Sequence, residues 1–410
     1  MARKNEVYKM VMRVVFCWVF VGLMGVVSVY ADDGRFALWI KNVQSEARQK
    51  GISDKYLAAL ESFSPDPEIL RLAGRQLEFV KPVWAYIEAV VTEKRLQRGR
   101  EQLQQNAAFL RKLEDKYGVP REIIIAIWGI ETNYGRNMGH FPVLQALATL
   151  GYEGKRADFG RQQLFAALEI LQLGEIGLAD FKGSWAGAMG HTQFIPTTYL
   201  GYAVDGTDDG VRNIWTEPYD ALASTAHYLH KSKWQPHITW GVEVNVGDGF
   251  EFADGGLKKY KPAAYWQQGG VVAISGVDYS DWGDLAFYAP AGVRGPMFLL
   301  TGNFASLLRY NHAPSYALSV AHLADRMVRP QTQFVRAWPM HDRPLRHQEI
   351  ETLQQKLQSA GYDTGGVDGI LGALTRKAVF KFQHDNGLVA DGYATPALLT
   401  ILENTKNLSP

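Results

Sequence analysis

One carboxylate, Glu131, follows an almost entirely apolar run and is the strongest candidate for chemistry in the chain. From Ile123 to Ile130 every side chain is apolar or absent, which predicts a helix buried on all sides. Burial and the negative end of the helix dipole both disfavour an ionised carboxylate, so the pKa of Glu131 should be raised. A carboxyl that stays protonated near neutral pH can act as a general acid. The alternative is a solvated glutamate at a helix end, since structural carboxylates outnumber catalytic ones.

The run around Glu131 carries its own start and stop signals. Pro120 suits the first turn of a helix, where its missing N–H costs nothing. Gly135 supplies the left-handed residue that often closes a helix. The sequence therefore predicts a core helix that begins near Pro120 and has Glu131 at its C-terminal end.

A second motif, residues 182–199, combines glycines, small side chains and an amide in a mostly uncharged stretch. Its glycines at 183, 187 and 190 allow another group to approach the backbone closely. Taken alone, the motif indicates either a ligand-binding loop or a tight contact between helices, and the two interpretations are equally supported.

Residues 205–213 form a third candidate site, because oxygen side chains alternate there around a glycine at position six, as in an EF-hand loop. Thr207 weakens the ligand set, Arg212 adds a repelling charge, and no bidentate glutamate stands at position twelve. A metal-free turn is therefore favoured over a structural Ca²⁺ site, and no cofactor is expected to be required. The candidate ligands are Asp205, Thr207, Asp209, the carbonyl of Val211, and Asp220.

The elements that must position these motifs are mainly helices. Apolar periodicity predicts helices near residues 55–57, 106–117, 142–150, 161–173, 218–234 and 303–324. From about 240 to 300 the pattern changes to short runs separated by glycine-rich turns, at 242–246, 271–274 and 297–300. The predicted fold class is therefore mainly α (α+β), with a small strand-containing subdomain at about 240–300.

The C-terminal part of the chain reads as a separate unit. Residues 329–344 contain three prolines and no clear period, so 331–344 is predicted to be a linker. Beyond it, 345–404 shows three short helical patterns, opened in the second and third cases near Thr375 and Thr395. Asp-Gly turns at 368–369 and 391–392 precede those two helices and form a weak internal repeat.

Residues 1–31 are typical of a secretory signal, with a basic start, an apolar stretch at 14–27 and small or aliphatic residues before Ala31. They predict a periplasmic protein, soluble or retained by an uncleaved N-terminal anchor. Cys17 lacks the preceding small residue of a lipid-modification site, so a lipoprotein is not expected. The remaining chain has 39 basic and 41 acidic residues and no cysteine. This balance argues against nucleic-acid binding, and thiol chemistry is excluded.

Three motifs, in this order, resemble those of the lytic murein transglycosylase B family: GIET at 129–132, GAMGHTQFIP at 187–196, and YN at 310–311 followed by YA at 316–317. The tail resembles the peptidoglycan-binding type 1 domain in VDGILG at 367–372, FQ at 382–383 and DG at 391–392. The resemblance implies a lysozyme-like helical catalytic domain at 32–330 and a three-helix peptidoglycan-binding domain at 345–404.

By this resemblance the protein is expected to cleave the β-1,4 bond between N-acetylmuramic acid and N-acetylglucosamine in peptidoglycan. Glu131 is implied as the single acid and then base, which leaves 1,6-anhydromuramic acid ends without consuming water. The implied saccharide contacts are Ser184, Gln193, Tyr228, Tyr310, Asn311 and Tyr316, with Met189 as an apolar contact in the same loop.

Two other functions stay open at this point. A lysozyme-type hydrolase needs two carboxylates flanking the bond, and Glu153, Asp158 and Glu169 are candidates for the second. A non-catalytic scaffold would use both modules to hold other cell-wall enzymes on the wall. Peptidoglycan strands are the expected partner in every case, and other cell-wall enzymes are a second class of candidate partner.

Overall fold

The computed structural model describes residues 34–75, 82–247 and 249–405. The predicted signal, 1–31, lies outside these residues. Within them, no helix combines the length and the apolar character that crossing a membrane requires.

The part of the chain before residue 240 is almost wholly helical. In order it contains α1 (Arg35–Gln49), α2 (Asp54–Leu57), α3 (Pro67–Arg75), α4 (Val83–Val90), α5 (Glu93–Gln105), α6 (Ala107–Tyr117), α7 (Arg121–Thr132), α8 (Val143–Tyr152), α9 (Ala157–Leu173), α10 (Pro196–Tyr202) and α11 (Pro218–Lys231). A two-residue ribbon pairs β1 (Phe141–Pro142), directly before α8, with β2 (Lys182–Gly183), between α9 and α10.

Helix α7 is the centre of the larger apolar core. Its residues from Ile123 to Gly129 are all buried, as the unbroken apolar run predicts. The helix packs against α5, α6 and α11 and against α14 (Pro314–Val328), which comes much later in the chain. A second core lies between α1, α8 and α9. Burial of a large apolar side chain stabilises the fold by about 1.5–3 kcal/mol, so this packing fixes α7 firmly.

The end of α7 differs from the prediction. The left-handed residue that closes the helix is Asn133, with φ 52° and ψ 47°, and not Gly135. Asparagine tolerates this conformation better than most residues, and here Arg98 Nη1 donates to Asn133 Oδ1 at 3.0 Å. Glu131 is therefore in the last turn of α7, one residue from its end.

The helix predicted at 303–324 is two helices. α13 (Gly302–Tyr310) ends at the tyrosine of the YN motif, and α14 begins at Pro314, a residue suited to the first turn. Asn311 Oδ1 accepts the N–H of Ala313 at 3.1 Å and shapes the break. The interruption brings Tyr310 and Tyr316 onto neighbouring helix ends.

The strand-containing subdomain is an antiparallel five-stranded sheet in the described residues, ordered β4–β6–β7–β3–β5. Its strands are β3 (Gly241–Asn245), β4 (Tyr260–Pro262), β5 (Val272–Ala273), β6 (Asp284–Tyr288) and β7 (Met297–Leu300), with α12 (Ala263–Gln268) between β4 and β5. The three predicted runs are confirmed as β3, β5 and β7. The sequence reading missed β4, which is short, and β6, which is apolar without alternation because it lies inside the sheet.

The tail contains the three predicted helices, α15 (His347–Ser359), α16 (Ala373–Asp385) and α17 (Pro396–Thr405). Thr395 caps α17 by accepting the N–H of Leu398 at 3.1 Å, but Thr375 does not open α16 and is buried inside it. The internal repeat is real in structure. Gln354 bonds both the side chain and the backbone of the first Asp-Gly turn, and Gln383 bonds the second in the same way.

The predicted linker, 331–344, has no helix or strand, yet it lies against the catalytic unit; we call it the strap. Phe334 of the strap stacks on His322 with ring centroids 4.1 Å apart, and Trp338 lies 6.0 Å from Trp84. The backbone N–H groups of Val335 and Arg336 donate to the carboxylate of Glu243 on β3, at 2.7 and 2.8 Å.

The tail and the strap meet at residues 292–295 between β6 and β7, which we call the docking loop. On one side, Asp391 of the second Asp-Gly turn accepts the N–H of Val293 at 3.1 Å. On the other side, Arg336 of the strap donates to the carbonyls of Gly295 and Val293. The docking loop of the strand-containing subdomain is therefore bonded both by the three-helix unit and by the strap.

Candidate active site

The carboxyl of Glu131 is the chemical centre of the site. Burial raises the pKa of Glu131 to about 7. Tyr316 on α14 donates its hydroxyl proton to Glu131 Oε1 at 2.6 Å, which favours the ionised form and limits the rise. The carboxyl therefore titrates near neutral pH, the range in which one group can serve as an acid in one step and as a base in the next.

No second carboxylate in the described part of the chain contributes to the pKa of Glu131, which burial and Tyr316 set between them. All three alternative acids, Glu153, Asp158 and Glu169, are exposed. Glu153 follows α8, and the other two are on α9. The arrangement thus offers one perturbed carboxyl and not a coupled pair.

Three tyrosines form an aromatic cluster beside Glu131. The rings of Tyr310 and Tyr316 are nearly parallel, with centroids 6.3 Å apart, and Tyr228 meets Tyr310 edge-on at 5.2 Å. The hydroxyl of Tyr310 donates to the carbonyl of Thr192 at 2.5 Å, and that of Tyr228 to the carbonyl of Arg309 at 2.7 Å. The cluster joins α11, α13 and α14 to the glycine-rich motif. Its role in saccharide binding stays a prediction.

The glycines of the 182–199 motif lie against the protein's own core. A Cβ on Gly187 would be 2.4 Å from Leu147, and one on Gly190 would be 2.4 Å from the carbonyl oxygen of Ile214. Met189 and Phe194 bond each other's backbones at 2.8 and 3.0 Å, which closes the motif into a tight loop. Close packing therefore accounts for these two glycines, whatever else the loop binds.

The polar members of the loop are shaped by backbone hydrogen bonds. Ser184 Oγ accepts the N–H groups of Ala186 and Ala188 at 3.3 and 3.0 Å. Gln193 has a left-handed backbone, φ 54°, and its Nε2 donates to the carbonyls of Met138 and Gly190. A left-handed residue other than glycine costs about 1–3 kcal/mol and is often found at functional sites.

Two residues expected to contact saccharide differ in their surroundings. Met189 is fully buried in the second core, where its side chain packs beneath the loop, and its role as an apolar saccharide contact stays a prediction. Asn311 is exposed in the break between α13 and α14 and is free to meet a ligand through its Nδ2 group.

The 205–213 loop is organised by its own backbone. Asp205 accepts four backbone N–H groups, from residues 207 to 210, and these bonds hold the pKa of Asp205 below its usual value. Asp220 accepts the N–H groups of Gly206 and Asn213 at 2.8 and 2.7 Å, and Asp209 accepts that of Val211. Thr207 Oγ1 also bonds Asp205. Among the residues described, no group of three or more His, Cys, Asp or Glu side chains is arranged to hold a metal.

Two residues of the site escaped the sequence analysis. Burial raises the pKa of the Tyr86 hydroxyl on α4, and the nearby Glu131 carboxylate raises it further; no motif surrounds Tyr86 in the sequence. His191 accepts the indole N–H of Trp128 on Nδ1 at 3.1 Å. Its position inside the glycine-rich motif was the available signal.

Comparison with known protein families agrees with this site. The family described as the transglycosylase SLT domain matches residues 35–325, and a peptidoglycan binding domain family matches 346–402. The chain therefore belongs to the transglycosylase SLT family.

Individual relatives make the class more specific. SltB3 from Pseudomonas aeruginosa, with crystal structures in complex with NAG-anhNAM-pentapeptide and with NAG-NAM-pentapeptide, is 43% identical, with a TM-score of 0.86 over 90% of this chain and 99% of SltB3. The membrane-bound lytic murein transglycosylase B of Escherichia coli (strain K12) is 29% identical over 308 residues, 72% of this chain and 79% of that protein. Escherichia coli Slt35 in complex with calcium is 28% identical, with a TM-score of 0.63 over 74% of this chain and 96% of Slt35.

These similarities confirm the family that the three motifs predicted. They also confirm the predicted fold, which is mainly helical and lysozyme-like. The protein is an enzyme, a lytic transglycosylase.

The hydrogen bond from Tyr316 gives a test of how Glu131 is tuned. Tyr316→Phe removes a bond to the ionised carboxylate, so the pKa of Glu131 should rise further. If the protonated form is active, the rate declines as pH rises through that pKa. The alkaline limb of kcat/KM should then move up by about one pH unit. Tyr310→Phe is the control, because the Tyr310 hydroxyl bonds a backbone carbonyl. An unmoved limb in Tyr316→Phe would contradict this account.

Proposed function

We propose that the enzyme cuts peptidoglycan strands between N-acetylmuramic acid and N-acetylglucosamine, with Glu131 as the only acid–base group. The observation that carries this proposal is a single partly exposed carboxyl of pKa about 7 at the meeting point of the three family motifs. The two ligands bound by SltB3 differ at the muramic acid, one being the anhydro form and the other not, which fits substrate and product of such a cleavage.

In the proposed first step, protonated Glu131 gives its proton to the glycosidic oxygen while the bond from that oxygen to the muramoyl C1 breaks. In the second step the Glu131 carboxylate takes the proton of the C6 hydroxyl, and the C6 oxygen bonds C1. The carboxyl is protonated again at the end, and no water is consumed. A pKa near 7 suits both steps, because neither form of the group is strongly disfavoured at neutral pH.

The competing hydrolytic reaction is less well supported. Hydrolysis by two carboxylates requires the second to lie within about 5–9.5 Å of the first. At such a distance in a buried site, its charge should appear in the pKa of Glu131, and none does among the described residues. A purely scaffolding role leaves the raised pKa of Glu131 without a use.

The decisive experiment compares Glu131→Gln with wild type on purified sacculi. Glutamine keeps the shape of the side chain and cannot transfer a proton, so the rate should fall by roughly 10²- to 10⁴-fold. Mass spectrometry of the wild-type digest should show anhydromuramoyl ends, each lighter by one water than a reducing end. Glu153→Gln, at an exposed alternative acid, is the matched control and should keep full activity. Reducing ends alone, or an active Glu131→Gln enzyme, would overturn the proposal.

We infer that the enzyme works in the periplasm. The inference is supported by the signal-like composition of residues 1–31 and by the membrane-bound designation of the Escherichia coli relative. Release as a soluble protein and retention by an uncleaved N-terminal anchor are both compatible with that segment.

The tail is proposed to bind peptidoglycan and raise the local concentration of substrate. The family matched by residues 346–402 supports this role. Other cell-wall enzymes stay a predicted class of partner for the same unit.

The strap makes the tail's role testable without damaging the catalytic core. A chain ending at Arg343 keeps Phe334 and Trp338 in place, whereas one ending at Pro330 removes them from the core. The protein ending at Arg343 should cut short soluble strands at nearly the full rate, but should cut sacculi more slowly and be washed off them more readily. The protein ending at Pro330, which lacks the strap, should be less stable and slower on both substrates. Equal losses on both substrates for the Arg343 truncation would instead make the tail a structural cap.

We propose that catalysis requires no metal and that the 205–213 loop is held by its backbone hydrogen bonds. The engaged carboxylates of Asp205 and Asp220 support this. Treatment with a chelator should leave the rate on sacculi unchanged, and calcium should raise the melting temperature by no more than a degree or two. Loss of activity in chelator, with recovery on adding calcium, would show that the loop holds a functional ion.

A further inference from the structure

We propose that His191, as a neutral imidazole, is a positioning residue that holds the Glu131 end of α7 against the glycine-rich loop. This inference rests on the proposed role of Glu131 and deepens it, because it names what fixes the acid relative to the loop that packs beside it. It also predicts a loss of activity at low pH, which the titration of Glu131 alone would not cause.

Two residues flanking Glu131 bond His191. Trp128, one helical turn before Glu131, donates its indole N–H to His191 Nδ1 at 3.1 Å, with the rings edge-on at 5.6 Å. Thr132, directly after Glu131, donates its hydroxyl proton to the carbonyl of His191 at 2.6 Å. Because the two bonds lie on either side of Glu131 along α7, they restrain both the rotation and the translation of that turn.

His191 is equally fixed on its other sides. Its backbone N–H donates to the carbonyl of Ile214 at 3.0 Å, and its ring bonds the backbone of Thr216. The ring also fills the space over Gly135, where a Cβ would be 2.4 Å from the imidazole. The residue is 8% exposed. It therefore joins α7, the glycine-rich loop and the segment after the 205–213 loop at one point.

The contact with Trp128 requires a neutral ring. An indole N–H can only donate, so Nδ1 of His191 must accept. A proton on Nδ1 would set two donors against each other, and the bond would break. Burial lowers the pKa of His191, which keeps the ring neutral at pH 7 and lets it protonate only in acid.

The surroundings of His191 are otherwise uncharged. From α7 it faces Trp128 and Thr132, neither of which titrates, and Tyr134 lies beyond the indole with its pKa raised, so that it stays neutral. On its own loop, the neighbouring carbonyl of Thr192 receives the hydroxyl of Tyr310, which burial also keeps protonated. No charged side chain in the described regions contributes to the pKa of His191.

The consequence is a two-sided pH dependence with separate causes. Glu131 must be protonated to act as an acid, so activity declines as pH rises through about 7. Lower pH only completes the protonation of Glu131 and causes no loss by itself. Protonation of His191 breaks the contact with Trp128, so a second decline should appear on the acid side.

The test measures kcat and KM for anhydro product across the pH range in two variants of the full chain. Trp128→Phe keeps an aromatic ring and removes the donor; kcat should fall roughly 3- to 10-fold with little change in KM, and the acid limb should disappear because no contact remains for protonation of His191 to break. His191→Asn keeps an acceptor near the position of Nδ1 and cannot protonate. It should lose the acid limb and keep the alkaline one.

His322→Gln is the matched control. His322 is also a buried histidine, whose pKa burial and Arg326 lower to about 4, but it contacts the strap residue Phe334. This variant should keep both limbs, and melting temperatures recorded at each pH identify any limb caused by unfolding. A wild-type enzyme without an acid limb, an acid limb that survives in His191→Asn, or one lost in His322→Gln would overturn the role of His191.

Failure of this inference and failure of the proposed function give different results. If Glu131→Gln is inactive while Trp128→Phe and His191→Asn both match wild type, Glu131 keeps its role and His191 loses the one assigned here. If Glu131→Gln stays active, both fall. If His191→Asn loses only the acid limb and Glu131→Gln is inactive, both are supported.

Discussion

Desolvation of the Glu131 carboxyl is the constraint on which the surrounding structure depends. A carboxyl removed from water resists ionisation. Complete desolvation would raise its pKa so far that the carboxylate needed as a base would not form. The apolar run of α7 contributes to this desolvation because its residues from Ile123 to Gly129 are buried in the core. Tyr316 opposes this effect, because its hydrogen bond to Glu131 Oε1 favours the ionised carboxylate. The balance of the two brings the pKa of Glu131 to about 7.

That balance explains several features that are otherwise unrelated. The break between α13 and α14 places Tyr316 at the start of a helix, from which its hydroxyl reaches Glu131. The left-handed Asn133 ends α7 within two residues of Glu131, so the carboxyl stays in the last turn. The tight packing of Gly187 and Gly190 brings the loop carrying His191 close enough to bond Trp128 and Thr132. Each feature sets a distance to the same carboxyl.

Much of this was readable from the sequence where the signal is local. The all-apolar run predicted burial of α7 and the raised pKa of Glu131, and the repeated Asp-Gly turns predicted a repeat that Gln354 and Gln383 make real. Contacts between distant residues were not readable. The bond from Tyr316 spans 185 positions, and that between Trp128 and His191 spans 63. Burial of Met189 and the packing of the strap likewise depend on which surfaces meet, and composition does not encode that. The break at 311–313 was missed because helical periodicity continues across it.

The docking loop connects the tail and the strap to the part of the chain that carries the aromatic cluster. Asp391 of the tail and Arg336 of the strap both form hydrogen bonds with it, and the loop is followed closely by β7. Thr301 alone separates the end of β7 from α13, which ends in the tyrosine stacked on Tyr316. The tail is thus tied, through one loop and one strand, to the helix whose last residue belongs to the aromatic cluster.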